Sequence, residues 1–174
     1  MSIHELTPAQ LKRIRHFIED EWVAEADGDE DIQATETNLK RLLAEIETPT
    51  ELHWCAMMFN WDTECETLRP LVRHPLCDRG TALGVFWLGQ PSWHYGRSAS
   101  ELSEDAQTVR ALLEEIEEQF CANAYAQSTI RLNPADMDGQ DFTADTRTQT
   151  VWDRPIPPVM FEPTYGASPI RPEL

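Results

Sequence analysis

HPLCDRGTALGVFWLGQP, residues 74–91, sets a histidine, a cysteine and an aspartate within five positions, directly before a run that is apolar on nearly every side. Two readings compete. His74, Cys77 and Asp78 could form a reacting cluster, since a thiol nucleophile needs a neighbouring base. Alternatively, Pro75 ends one helix, Asp78 caps the next, and Leu83, Phe86, Trp87 and Leu88 fill a core. The second reading explains more of the residues. It makes the segment behind Asp78 a capped, buried helix, with Gly80, Gly84 and Gly89 leaving gaps that let neighbouring helices approach closely and Thr81 three residues after the cap. The run is also too short to span a bilayer.

Outward from this segment the pattern is helical. Thr7-Pro8-Ala9-Gln10 has the form of a capping box, and Leu11, Ile14, Phe17, Ile18 and Trp22 recur at three- and four-residue steps behind it. EADGDEDIQ breaks the period and predicts an exposed loop over 26–32. A second helix follows through Leu39, Leu42, Leu43 and Ile46. Thr48-Pro49-Thr50-Glu51 repeats the capping logic before ELHWCAMMF, a central helix that contains His53. Asn60-Trp61-Asp62 predicts a tight corner, with Asn60 in the left-handed conformation and Asp62 capping the next helix. That helix would bury Leu68, Leu71 and Val72, and Pro70 predicts a kink or restart within it. From Ser100, Val109, Leu112, Leu113, Ile116 and Phe120 lie on one stripe, with Glu114, Glu115, Glu117 and Glu118 mostly off it.

After residue 128 the character changes, because seven of the twelve prolines fall there and exclude regular helix from much of the stretch. Ile130, Leu132, Phe142, Trp152, Met160 and other large apolar groups predict an arm packed over the helices, free only from about Ser168. The expectation is therefore a mainly α protein: a helical domain of about six helices over 1–127, then an extended proline-rich arm over 128–174. A short helical solenoid is the alternative, although no repeat period supports it.

The chain has 174 residues, 41% of them hydrophobic, which is enough for one sizeable core. Asp and Glu outnumber Lys and Arg by 31 to 14, a formal charge of −17, which disfavours nucleic acid and anionic membranes as partners. The opening MSIHELTPAQ lacks a basic segment followed by an apolar one, so a cytoplasmic location is expected. Cys55, Cys65, Cys77 and Cys121 form no CxxC pair and read as small buried hydrophobes. His4, His16, His53, His74 and His94 show no metal-binding spacing, and phosphate loops, dinucleotide fingerprints and serine-hydrolase elbows are lacking. No catalytic, cofactor-binding or metal-ligating residue is therefore assigned, and no cofactor is expected.

The acidic residues gather in two blocks. Glu19, Asp20, Glu21, Glu25, Asp27, Asp29, Glu30 and Asp31 form the first, with no Lys or Arg among residues 16–34. Glu114, Glu115, Glu117 and Glu118 form the second. Each is either a solvated face or a surface complementary to a basic protein partner.

With LHWCAMMFNWD and HPLCDRGTALGVFWL both in view, the chain resembles a bacterial family of domains of unknown function with the pattern NWD followed by HPxCDxGTALxxFW. The resemblance covers residues 50–92, and more loosely RPIPPVMFEPTYG near the end. Its matching residues, Asn60, Trp61, Asp62, Cys77, Asp78, Gly80, Thr81 and Trp87, are the ones assigned above to corners and core. In size, acidity and lack of a catalytic motif the family is similar to the immunity proteins that bacteria pair with toxins, which is an analogy of kind. The expected function is a non-catalytic, cytoplasmic protein-binding module, of the immunity-protein sort, facing a basic toxin or other protein. Two alternatives stay open: an enzyme built around His74, Cys77 and Asp78, or around His53, and a structural or regulatory subunit of a stable complex.

Overall fold

Local capping chemistry sets where the helices begin. In the computed structural model, which describes residues 5–23, 29–61 and 65–174, Thr7 Oγ1 accepts from the Gln10 amide while the Gln10 side chain accepts from the Thr7 amide. This box opens α1 (Pro8–Ile18). The second helix, α2 (Asp29–Ala44), starts inside the predicted loop, so the loop is shorter than the drop in periodicity suggested. At α3 (Pro49–Met57), Thr48 caps the Glu51 amide at 3.2 Å, but the Glu51 carboxylate does not return to Thr48. It accepts instead from the Glu47 amide at 3.0 Å and pairs with Arg13 of α1. Fully buried Glu51 thereby ties α1 to α3.

Asn60 is not left-handed. Among the described residues the left-handed non-glycine ones are Asp20, Gln90, Asn123 and Asp138, and Asp62 lies outside the described residues. The restart expected near Pro70 occurs two residues earlier, where a 3₁₀ turn at Cys65–Thr67 gives way to α4 (Leu68–Val72). Pro70 then sits in the first turn, where its missing N–H costs nothing.

The centre of the fold is α5 (Arg79–Leu88), in which every residue from Gly80 to Trp87 is buried. It packs against α3 on one side and α7 (Glu104–Cys121) on the other. Between them Pro91 opens an additional short helix, α6 (Pro91–Tyr95), which brings the described α-helices to seven. Full burial of Leu83, Phe86 and Trp87 is worth roughly 1.5–3 kcal/mol for each side chain. Asn123, left-handed just past α7, lets the Ala124 amide reach back to the Gln119 carbonyl at 2.9 Å and close the helix.

From residue 128 onward the described chain has no α-helix, only 3₁₀ turns at Ala144–Arg147 and Pro158–Phe161. This arm lies on the helices: Ile130, Leu132, Met160 and Thr164 are buried, and the Trp87 indole donates to the Met160 carbonyl at 2.7 Å. Toward its end, Arg171 reaches Asp138 and Leu174 packs partly against the core. Asp138 and Gly139, both at positive φ, form a two-residue turn closed by an antiparallel bridge between Met137 and Gln140.

Candidate functional site

The three side chains that head the central helix each serve a structural purpose. His74 Nδ1 accepts from the Leu76 amide at 3.1 Å, and burial lowers the pKa of the ring. The Cys77 thiol is 1% exposed and points at the Asp78 carbonyl. Burial raises its pKa well above the ordinary thiol value, and the Asp78 charge adds to the shift. That setting is opposite to the electropositive, exposed one that activates a thiolate.

Asp78 is fully buried and accepts four hydrogen bonds. Oδ1 takes the Gly80 amide at 2.8 Å, which is the expected helix cap. Oδ2 takes the Thr129 amide at 2.6 Å, the Thr129 hydroxyl at 3.0 Å and the Ile130 amide at 3.3 Å. One carboxylate thus closes the start of α5 and ties the arm to it. Gly80 belongs to the same knot, since a Cβ there would lie 2.5 Å from the Ile130 carbonyl oxygen. The close neighbour is the arm and not a helix, as the glycine spacing had suggested. Thr164 completes the strap by donating to the Ile130 carbonyl and accepting from the Leu132 amide, each at 2.9 Å.

His53, 4% exposed, places Nδ1 3.0 Å from the Thr81 hydroxyl and sets its ring edge-on to Trp54. Trp61, at the corner, packs edge-on against Phe59. Among the described residues no group of three or more His, Cys, Asp and Glu side chains is placed to hold a metal ion. Cys121 is exposed, contrary to the expectation that all four cysteines are buried, because it lies on the outer face of the last turn of α7.

The second acidic block is largely engaged within the chain. Glu114 pairs with Arg110 at 2.8 Å, Glu115 with Arg73 and Arg69, and Glu117 with Arg154 at 2.7 Å. Glu118 is exposed. Arg110 and Glu117, both under 10% exposed, sit on the buried stripe of α7 and reach the arm through Asp153 and Arg154. Two opposite charges on an apolar stripe were the overlooked sequence signal for this hub. The Tyr95 hydroxyl faces Glu117, and burial together with that carboxylate raises its pKa. In the first block Glu19 and Glu21 are exposed where α1 closes, and Glu21 meets His16 at 2.8 Å. Glu25 and Asp27 lie outside the described residues, and Asp29, Glu30 and Asp31 open α2.

A cleft of about 520 Å³ opens between α3 and the arm. His53, Trp54, Met57 and Met58 line it from the helix, and Arg131, Asp136 and Phe142 line it from the arm. Nothing in the composition of either segment singled out this juxtaposition, which long-range contacts of the arm create. Among the described residues, no helix is long and apolar enough to cross a membrane.

No curated protein and no solved structure matches the chain. A family model does match part of it: residues 47–121, from the cap of α3 to the end of α7 and including Asp78, are similar to the Domain of unknown function family DUF4274.

Proposed function

We propose that the protein is a non-catalytic protein-binding module that meets a basic surface of its partner with the acidic connection between α1 and α2, in the manner of an immunity protein covering a toxin. The observation behind this reading is the charge distribution. Eight carboxylates fall among residues 16–34 without a lysine or arginine, in a chain of net charge −17. Such a field accelerates encounter with a basic partner and penalises acidic ones. The engagement of Glu114, Glu115 and Glu117 with arginines of the same chain makes the first block the better candidate of the two. The inward commitments of His74, Cys77 and Asp78 weigh against these residues as a reacting set.

The test is capture of a stoichiometric partner by the tagged full chain at low and moderate salt, followed by association kinetics with that partner. Neutralising Glu19, Asp20, Glu21, Asp29, Glu30 and Asp31 to their amides should slow association and flatten its salt dependence. Glu118→Gln serves as the control on α7 that leaves its ion pairs intact. Unchanged kinetics in the multiple variant would refute acidic docking.

A further inference from the structure

Four charged side chains line the cleft between α3 and the arm, and two of them, Arg131 and Asp136, are not paired with each other. Arg131 stands between Ile130 and Leu132, both buried, so the alternation of an extended chain turns its side chain the other way, toward the cleft it lines. Its backbone is pinned on both sides. The Arg131 amide donates to the Ala167 carbonyl at 3.0 Å, and the Thr164 amide donates to the Leu132 carbonyl at 2.9 Å. Asp136 lines the same cleft from a turn held by the Asn133 carbonyl and side chain.

Among the described residues, neither the Arg131 guanidinium nor the Asp136 carboxylate has a hydrogen-bond or ion-pair partner. Only one other arginine, Arg15 on α1, is in that state. The other two charges of the lining, Asp138 and Arg171, are paired with each other at 3.3 Å. The rest of the wall includes Met57, Met58, Met137 and Phe142, and methionine side chains adapt readily to irregular apolar shapes.

We propose that this cleft binds a small apolar α-amino acid as its zwitterion, with the carboxylate on Arg131, the ammonium on Asp136 and the side chain against Met57, Met58 and Phe142. A simple anion would be repelled by Asp136 and a simple cation by Arg131, whereas a zwitterion satisfies both. The volume of about 520 Å³ falls within the range of small-molecule sites, roughly 300–1,000 Å³. This ligand site is independent of the protein-docking surface on α1 and α2.

The experiment is a titration of the ¹⁵N-labelled full chain, followed by amide chemical shifts. L-Leucine, L-methionine and L-phenylalanine are the probes, with glycine, leucinamide and N-acetylleucine as controls lacking the apolar body, the carboxylate charge and the ammonium charge. Saturable shifts at residues 53–58 and 131–142 are expected for the three apolar amino acids, with affinities at least about fivefold above every control. Arg131→Gln should bring leucine and leucinamide to equal affinity. Asp136→Asn should do the same for leucine and N-acetylleucine. Both side chains are exposed, so neither substitution removes a packing contact. Absence of saturable shifts with all three amino acids overturns the assignment, as does equal binding of the controls or unchanged discrimination in the two variants.

Discussion

Removing the Asp78 carboxylate should loosen the arm before it melts the helices. The side chain accepts from the amides of Gly80, Thr129 and Ile130 and from the Thr129 hydroxyl, at 2.6–3.3 Å. In Asp78→Ala the helix cap is lost, at about 1 kcal/mol. Three donors of the arm lose their acceptor as well, at about 1 kcal/mol each, the low end of the range because Thr129 itself is exposed. The sum is about 4 kcal/mol, a large share of the roughly 5–15 kcal/mol that stabilises an ordinary domain. Asp78→Asn can turn its amide oxygen toward only one side, so the cap or the arm then faces an NH₂ group, and roughly 2–3 kcal/mol should be lost. Urea unfolding followed by circular dichroism at 222 nm reads the total. Trypsin cleavage after Arg131 and Arg147 under native conditions reads the arm, and should accelerate in both variants. A loss under 1 kcal/mol in Asp78→Ala, with unchanged cleavage, would refute the assignment of Asp78 as the tie between α5 and the arm.

Gly80→Ala places a Cβ 2.5 Å from a backbone oxygen of Ile130, whereas in Gly84→Ala the nearest atom is the flexible Met57 sulfur, also at 2.5 Å. Gly80→Ala should therefore cost about 2–3 kcal/mol and Gly84→Ala about 1 kcal/mol; equal losses in urea unfolding would count against this distinction. His94 is 7% exposed, and burial, aided by the nearby charges of Arg110 and Arg97, lowers its pKa from 6.5 to about 4. The unfolded chain then binds the proton more readily, so stability is untouched above pH 6.5 and falls as the pH drops from 6.5 toward 4, by roughly 3 kcal/mol in all. His94→Gln should lose less stability than the wild type over that window, whatever its stability at neutral pH, and parallel pH profiles would exclude the histidine as the source. Gln90 adopts a left-handed conformation at φ 55° and ψ 58° with its side chain exposed. Gln90→Gly should relieve that strain and raise stability by about 0.5–1 kcal/mol, net of the greater freedom of glycine in the unfolded chain; a drop in the midpoint of thermal unfolding would contradict it.

Local chemistry made much of the fold legible. The Thr7 box, the Thr48 and Asp78 caps, the stripe of α7 and the saturated apolar surface of α5 are all short-range signals, and each appears where the residues place it. The signals that failed involve competition from distant partners. Glu51 has the spacing of a capping box, yet Arg13, 38 residues earlier, engages its carboxylate. Asp78 is legible as a cap, but its second oxygen serves residues 51 and 52 positions away, which no local pattern records. The Met137-Asp138-Gly139-Gln140 turn carries the Asp-Gly signature of a tight hairpin, a local signal that the proline-rich, extended character of the surrounding chain masks. The cleft could not be foreseen at all, because α3 and the arm are separated by more than seventy residues and come together through long-range ties such as the strap at Thr129, Ile130 and Thr164.

The strap also bears on how the chain acquires its structure during synthesis. Its last anchor, Thr164, follows the end of α7 at Cys121, and translation at about 5–20 residues per second needs roughly 2–9 s to cover that interval. For most of it the Trp87 indole lacks its acceptor at Met160, and the Asp78 donors on Thr129 and Ile130, although made early, lack the Thr164 anchor that fixes Ile130 and Leu132. A nascent chain that has already formed its helices therefore still exposes the most apolar helix of the protein, and this interval is when a chaperone or an aggregation partner has its best access to α5.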